Sequence, residues 1–228
     1  MVRLYVNFQD NVPQYHCTAC STCTSTFGKS LCKIKNRGCC FYFPKFNLID
    51  ILRMTKTKEG LNTLSKIVHN EGTEIYHYYI HSKGYFDHEG YNKYLETRPC
   101  SSNQDYCEEN IKDKTMFFRS CPFVQENVGC TLPIKYRTNV CNFFICSEVK
   151  KILDTLPLLK EYEEEAAKYS RFNDWQNVGL ESILKDLNIN LKDNLYECIK
   201  ILRDIPLEEC EFPKLPSLDN CNFLKENA

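Results

Sequence analysis

The sequence predicts a mainly α fold of the α+β class, with an irregular, Cys-rich metal-binding part that has room for a small β element. Three observations predict it. Leu180, Ile183, Leu184, Leu187, Leu191, Leu195, Ile199 and Leu202 recur at three- and four-residue steps, the stripe of an amphipathic helix. Cysteines crowd into two groups, one spanning 17–40 and one spanning 121–146, in stretches without helical period. Short β-branched and aromatic runs near the N-terminus and at 73–86 have the composition of strands. The expected organisation is a Cys-rich metal-binding region, 1–146, and a helical region with an extended tail, 147–228, packed as one unit.

A chain of 228 residues is long enough to bury an ordinary hydrophobic core without cysteine staples. Its formal net charge is -1 and it carries no basic block, so neither nucleic acid nor an anionic membrane is an expected partner. A protein partner stays open, its identity unassigned. No apolar run reaches the roughly 18 residues of a membrane-spanning helix. The opening MVRLYVNFQDNVPQYHC lacks the apolar stretch and cleavage site of a secretory signal, so a cytoplasmic location is expected. In a reducing compartment, 15 cysteines are better read as metal ligands and buried thiols than as a disulfide framework.

The elements follow in order. Residues 1–8 alternate as a short strand, which Asn11-Val12-Pro13 is expected to end. From Cys17 to Phe46 the chain reads as a loop, long enough that something besides secondary structure must order it. Apolar spacing over 46–69 predicts two helices with a break near Gly60. Residues 73–86 read as strand and turn, 87–115 as irregular linking structure, and 120–146 as a second Cys-rich segment. Beyond Cys146 long helices are expected, one starting or kinking at Pro157, before a Pro-bearing extended tail.

The cysteines carry the chemistry. Thiolates bind soft and borderline ions, and four complete either tetrahedral zinc or a cubane cluster. Cys17, Cys20 and Cys23 stand at C-x2-C-x2-C, the spacing with which ferredoxins grip three irons while a remote Cys-Pro supplies the fourth ligand. Cys121-Pro122 is the candidate for that position. Structural zinc more often takes two separated C-x2-C knuckles, and no second one exists outside 17–23. Iron–sulfur is therefore slightly favoured, with zinc retained. The candidate ligands are Cys17, Cys20, Cys23, Cys32, Cys39, Cys40, Cys121, Cys130, Cys141 and Cys146. Cys198 lies on the helical stripe and reads as core, and Cys210 and Cys221 as unligated thiols.

GCCFYFP at 38–44 and CPFVQENVGCTLPIKYRTNVCNFFIC at 121–146 resemble the YkgJ-type cysteine-cluster family, described as a zinc- or iron-chelating domain. Cys121, Phe123, Gly129, Cys130, Arg137, Cys141 and Phe143 fall on that family's second block. Thr138 stands where Pro is usual and Asn142 where Arg is usual, and the first block is split between Cys20, Cys23 and the Cys39-Cys40 doublet. The resemblance implies a cysteine-held metal or 4Fe-4S cluster with a structural, redox or metal-handling role. The second block also resembles the Cys-rich part of flagellin lysine methylases, which implies the alternative of a cluster-containing protein-modifying enzyme.

Other candidates carry less. His77 and His81 stand four apart but read more simply as packing or surface residues, and His16 beside Cys17 as a turn residue or a hydrogen-bond partner of the site. Glu161, Glu163, Glu164 and Glu165 read as a solvated helix face, and Trp175 as core. No Walker loop, dinucleotide fingerprint, nucleophile elbow or H-E-x-x-H motif is present, so no catalytic residue is assigned.

Overall fold

The computed structural model describes residues 3–18, 26–97, 111–153 and 157–219. The fold is α+β, with seven α-helices and small antiparallel sheets among the described residues. It divides into two compact units: unit 1 is Met1–Thr18, Pro44–Ser82 and Leu132–Ala228, and unit 2 is Ala19–Phe43 and Lys83–Thr131. The division is discontinuous in sequence rather than a cut near 147. Unit 1 takes residues from both sides of that position because strand pairing joins the two ends of the chain.

In unit 1, β1 (Arg3–Gln9) and β2 (Val12–Cys17) form a hairpin whose outer neighbour is β10 (Leu218–Asp219), paired to β1. Asp10 and Asn11 both have positive φ, 47° and 61°, the two-residue turn that matches the twist of a tight hairpin. Val12-Pro13 therefore opens a second strand instead of ending the first. Pro13 is tolerated there because β2 is an edge strand, free of the ladder on one side. Cys17 closes that strand and so belongs to regular structure, not to the loop expected from its neighbours.

The next layer of unit 1 is helical. β3 (Lys45–Asn47) leads into α1 (Leu48–Thr55), whose N-terminus is a capping box: Asp50 accepts the Asn47 N–H at 2.9 Å. α2 (Lys58–Val68) starts after Thr57, whose hydroxyl accepts the Gly60 N–H at 2.9 Å. The break between the helices thus falls at Lys56–Thr57. Gly60 lies inside α2, where a Cβ would stand 2.1 Å from the Met54 carbonyl oxygen, so it is the close approach of two helices that requires glycine. β4 (Thr73–Ile75) and β5 (Tyr79–Ser82) then pair antiparallel, with β3 on the far side of β5.

Unit 2 contains β6 (Tyr85–Phe86) paired with β7 (Arg119–Ser120), and the hairpin of β8 (Val124–Gln125) and β9 (Gly129–Cys130). It also holds α3 (His88–Thr97) in a stretch expected to be irregular. That helix is mostly polar in sequence and hides its purpose: only Tyr91 and Tyr94 point inward, each with its ring 5.4 Å from Phe118. The core they cover is Met116, Phe117 and Phe118, all buried, joined by Phe27, Leu31 and Phe41.

The C-terminal half returns to unit 1 with α4 (Asn139–Asn142), α5 (Ser147–Leu153), α6 (Pro157–Asp186) and α7 (Leu191–Asp204). α6 begins at Pro157, whose fixed φ and missing N–H suit a first helical position. It ends where Asn188 turns left-handed, with φ 54°, and the Ile189 N–H reaches back to the Leu184 carbonyl at 3.0 Å. The apolar stripe is consequently divided between two helices. Leu180, Leu184, Leu191 and Leu202 are buried, whereas Ile183 and Leu187 on the outer side of the stripe are exposed. Trp175, expected in the core, is 67% exposed, since the inward face of α6 is taken by Tyr162, Tyr169, Asn173 and Leu180. The glutamate run lies on the solvent side and pairs with lysines, as in Lys150–Glu163 at 2.6 Å.

Candidate metal centre

The structure divides the candidate ligands. Cys17, Cys141 and Cys146 lie in unit 1; Cys32, Cys39, Cys40, Cys121 and Cys130 lie in unit 2. Cys20 and Cys23 lie outside the described residues, as do Cys100, Cys107 and Cys221. Cys32, Cys39, Cys198 and Cys210 are free thiols.

Unit 2 brings members of both cysteine groups together. Asn36 and Gly38 have positive φ, 36° and 56°, and the Cys40 N–H donates to the Arg37 carbonyl at 3.2 Å, closing a tight turn that carries the Cys39-Cys40 doublet. The Cys121 N–H then donates to the Cys40 carbonyl at 2.9 Å. A second link lies between turn tips, where the Asn36 side-chain amide donates to Asn127 Oδ1 at 2.8 Å. Asn127 and Gly129 supply the left-handed positions of the β8–β9 hairpin, which carries Cys130. Two sequence-distant cysteine blocks are thus joined backbone to backbone and turn to turn.

Arg37 is the residue that motif reasoning passed over. It is only 2% exposed. Its guanidinium donates to the carbonyls of Gly38 at 2.6 Å, Lys29 at 2.9 Å and Met116 at 2.9 Å, while Nε is buried with no hydrogen-bond partner among the described residues. Burial pulls this guanidinium below its ordinary pKa, and the sulfurs of Cys32, Cys40 and Cys39 oppose that pull. A guanidinium remains charged in a protein and a buried charge needs partners, which here are the three carbonyls, with the sulfurs of Cys32, Cys39 and Cys40 close by. Cys32 is fully buried beside it, with Ser30 Oγ 3.3 Å from its sulfur. The position of Arg37 between Cys32 and the doublet was the available signal.

The unit 1 cysteines border another core. Cys17 and Cys146 pack against the cluster built on Leu4, Tyr15, Tyr162 and Phe212. Cys141 lies in α4, where the Thr138 hydroxyl donates to its sulfur at 3.3 Å. That contact belongs to the position where the resembled family carries proline. Cys198 is buried among apolar groups, as its place on the stripe predicts, and burial pushes its thiol up to about 11. His77 lies in the bend between β4 and β5 and His81 within β5, so the pair does not share one regular face. The His16 ring stacks obliquely on Tyr5 at 5.0 Å.

Among the described residues, no three His, Cys, Asp or Glu side chains are gathered closely enough to hold a metal ion. Cys32, Cys39 and Cys40 are thiols close enough to the buried Arg37 guanidinium to act on its charge. The chain matches no protein-family model, no curated protein and no solved structure.

Proposed function

We propose that the protein is a metal-binding cysteine-cluster protein that holds zinc or an iron–sulfur cluster through cysteines of both groups. Its role is structural, redox or metal handling. The observation that carries this reading is the 2.9 Å hydrogen bond from the Cys121 N–H to the Cys40 carbonyl, which seats the Cys-Pro of the second group on the doublet of the first. Cys40 and Cys121 are the ligands the reading commits to in unit 2, and among the described residues they are not joined by a third donor close enough to complete a site as the side chains stand. Arg37 supports it electrostatically, because a metal held by several thiolates carries net negative charge and a buried guanidinium offsets it. The resemblance to the cysteine-cluster family points the same way. A bound metal would crosslink the two turns, coupling occupancy to the folding of unit 2.

The test is elemental analysis of anaerobically purified full-length protein, with visible absorption spectroscopy. Iron with equimolar acid-labile sulfide and broad visible absorbance supports the cluster form. Colourless protein with stoichiometric zinc supports the zinc form. Protein that carries neither metal, and that takes up neither from excess zinc or from iron and sulfide, refutes the reading.

A further inference from the structure

Unit 1 contains an open cavity of about 210 Å³ that the cysteine chemistry does not use. Its inner wall includes Arg53 of α1, Tyr136, and Tyr169 and Asn173 of α6. The last three are 2%, 4% and 3% exposed, so the wall is a built interior surface rather than a surface dent. Its rim includes Glu208 and Glu209, exposed residues in the segment that follows α7.

The charges around this cavity are unevenly matched. Two of its cations are fully engaged. Lys56 Nζ donates to the carbonyls of Leu202 at 3.1 Å, Arg203 at 2.7 Å and Ile205, capping the C-terminus of α7. Lys135 lies between Asp10 at 2.6 Å and Glu59 at 2.8 Å. Arg53 differs. Its side chain is 11% exposed and its ion-pair partner, Asp50 Oδ1, is 3.8 Å away, beyond hydrogen-bond range. Among the described residues, a planar fork of five donors is therefore held at the inner wall with an ion-pair partner but no hydrogen-bonded acceptor.

The rim shows the opposite imbalance. Glu209 accepts from the Asn11 amide at 3.1 Å and Glu208 from the Gln176 amide, both neutral donors, so neither carboxylate has a cation among the described residues. Tyr136 and Asn173 are satisfied by Thr57 at 2.6 Å and Asn139 at 2.9 Å, and contribute shape.

We infer that this cavity binds a small zwitterion of the amino-acid class, its carboxylate on Arg53 and its ammonium at the Glu208 and Glu209 rim. A guanidinium pairs a carboxylate in two parallel hydrogen bonds, which is the use an inward-facing arginine fork is shaped for. The volume is below the roughly 300–1,000 Å³ of drug-sized pockets, which limits the ligand to a single small molecule.

The test is a thermal-shift screen of the full-length protein against the common L-amino acids, followed by calorimetric titration of the strongest. Its deaminated acid and decarboxylated amine are titrated in parallel. The expected result is an upward shift in Tm with at least one amino acid, at least tenfold weaker binding in Arg53→Gln, and weaker binding of both truncated analogues. Glu208→Gln with Glu209→Gln should weaken the amino acid but not the deaminated acid. No shift with any amino acid overturns the inference, as does unchanged affinity in folded Arg53→Gln. Equal binding of the deaminated acid overturns the zwitterion assignment. Should Arg53→Gln fail to fold, Arg53→Lys, which keeps the charge but loses the fork, gives the same comparison.

Discussion

Arg37 Nη2 donates to the main-chain carbonyl of Met116 at 2.9 Å, across 79 positions of sequence. The same guanidinium ties down Lys29 and Gly38, so one buried side chain fastens the loop bearing Cys32, Cys39 and Cys40 to the Phe117 core of unit 2. Replacing it with Met would strand three carbonyls and remove the cation that faces the thiols. Arg37→Met is expected to destabilise unit 2 by about 1–3 kcal/mol or more, the cost of leaving buried carbonyls unsatisfied. Hydrogen exchange followed by mass spectrometry checks it: amides of 26–43 and 111–131 should lose protection while those of α6 and α7 keep theirs.

If Cys40 and Cys121 are ligands, each serine variant should lose bound metal and thermal stability together, because occupancy and folding are linked. Bound metal per chain is expected to fall at least twofold in Cys40→Ser and in Cys121→Ser. Cys198→Ala is the control, since its thiol is buried in the apolar face of α7. It should retain full metal content while losing some stability from the cavity it opens. Metal content that is unchanged in both serine variants would count against the assignment.

Two glycines occupy places no side chain fits. At Gly84 a Cβ would stand 2.0 Å from the Ser120 carbonyl oxygen, and at Gly60 2.1 Å from that of Met54. In both cases the obstruction is backbone, which cannot rotate away. Gly60→Ala and Gly84→Ala are each expected to cost about 1–3 kcal/mol or more. Gly179→Ala, on the open face of α6, meets nothing within 4 Å and should be neutral or slightly stabilising. Urea denaturation curves for the three variants provide the comparison.

Asp50 links stability to pH. Desolvation raises its pKa from 3.8 to about 6, against the lowering pull of Arg53 and the Asn47 N–H. The folded state therefore binds this proton more tightly than the unfolded state. Stability should fall as pH rises from 3.8 to about 6 and stay at the lower level above that. The contribution is at most about 3 kcal/mol. Asp50→Asn removes the titration, so the difference in unfolding free energy between it and the parent should change across that window and be flat above it. A constant difference from pH 4 to pH 7 would contradict this.

What the sequence alone determined was whatever depends on local pattern. A strand over the first eight residues, a helix pair over 46–69, a helix starting or kinking at Pro157 and the burial of Cys198 all follow from periodicity, proline geometry or the position of a residue on a stripe. The tertiary structure decided what depends on a partner far along the chain. Val12-Pro13 carries a strong stop signal, yet it opens a strand because the left-handed Asp10-Asn11 turn lays it against β1 as an edge. The 88–97 helix is polar enough to pass for linker until two tyrosines find Phe118. Trp175 is exposed because which face of α6 turns inward is set by its neighbours, not by the most hydrophobic residue it carries. The cysteines follow the same rule. Their identity and spacing announce thiol chemistry, but sorting them between units and pairing Cys40 with Cys121 needs chain closure over long separations, which no local spacing encodes.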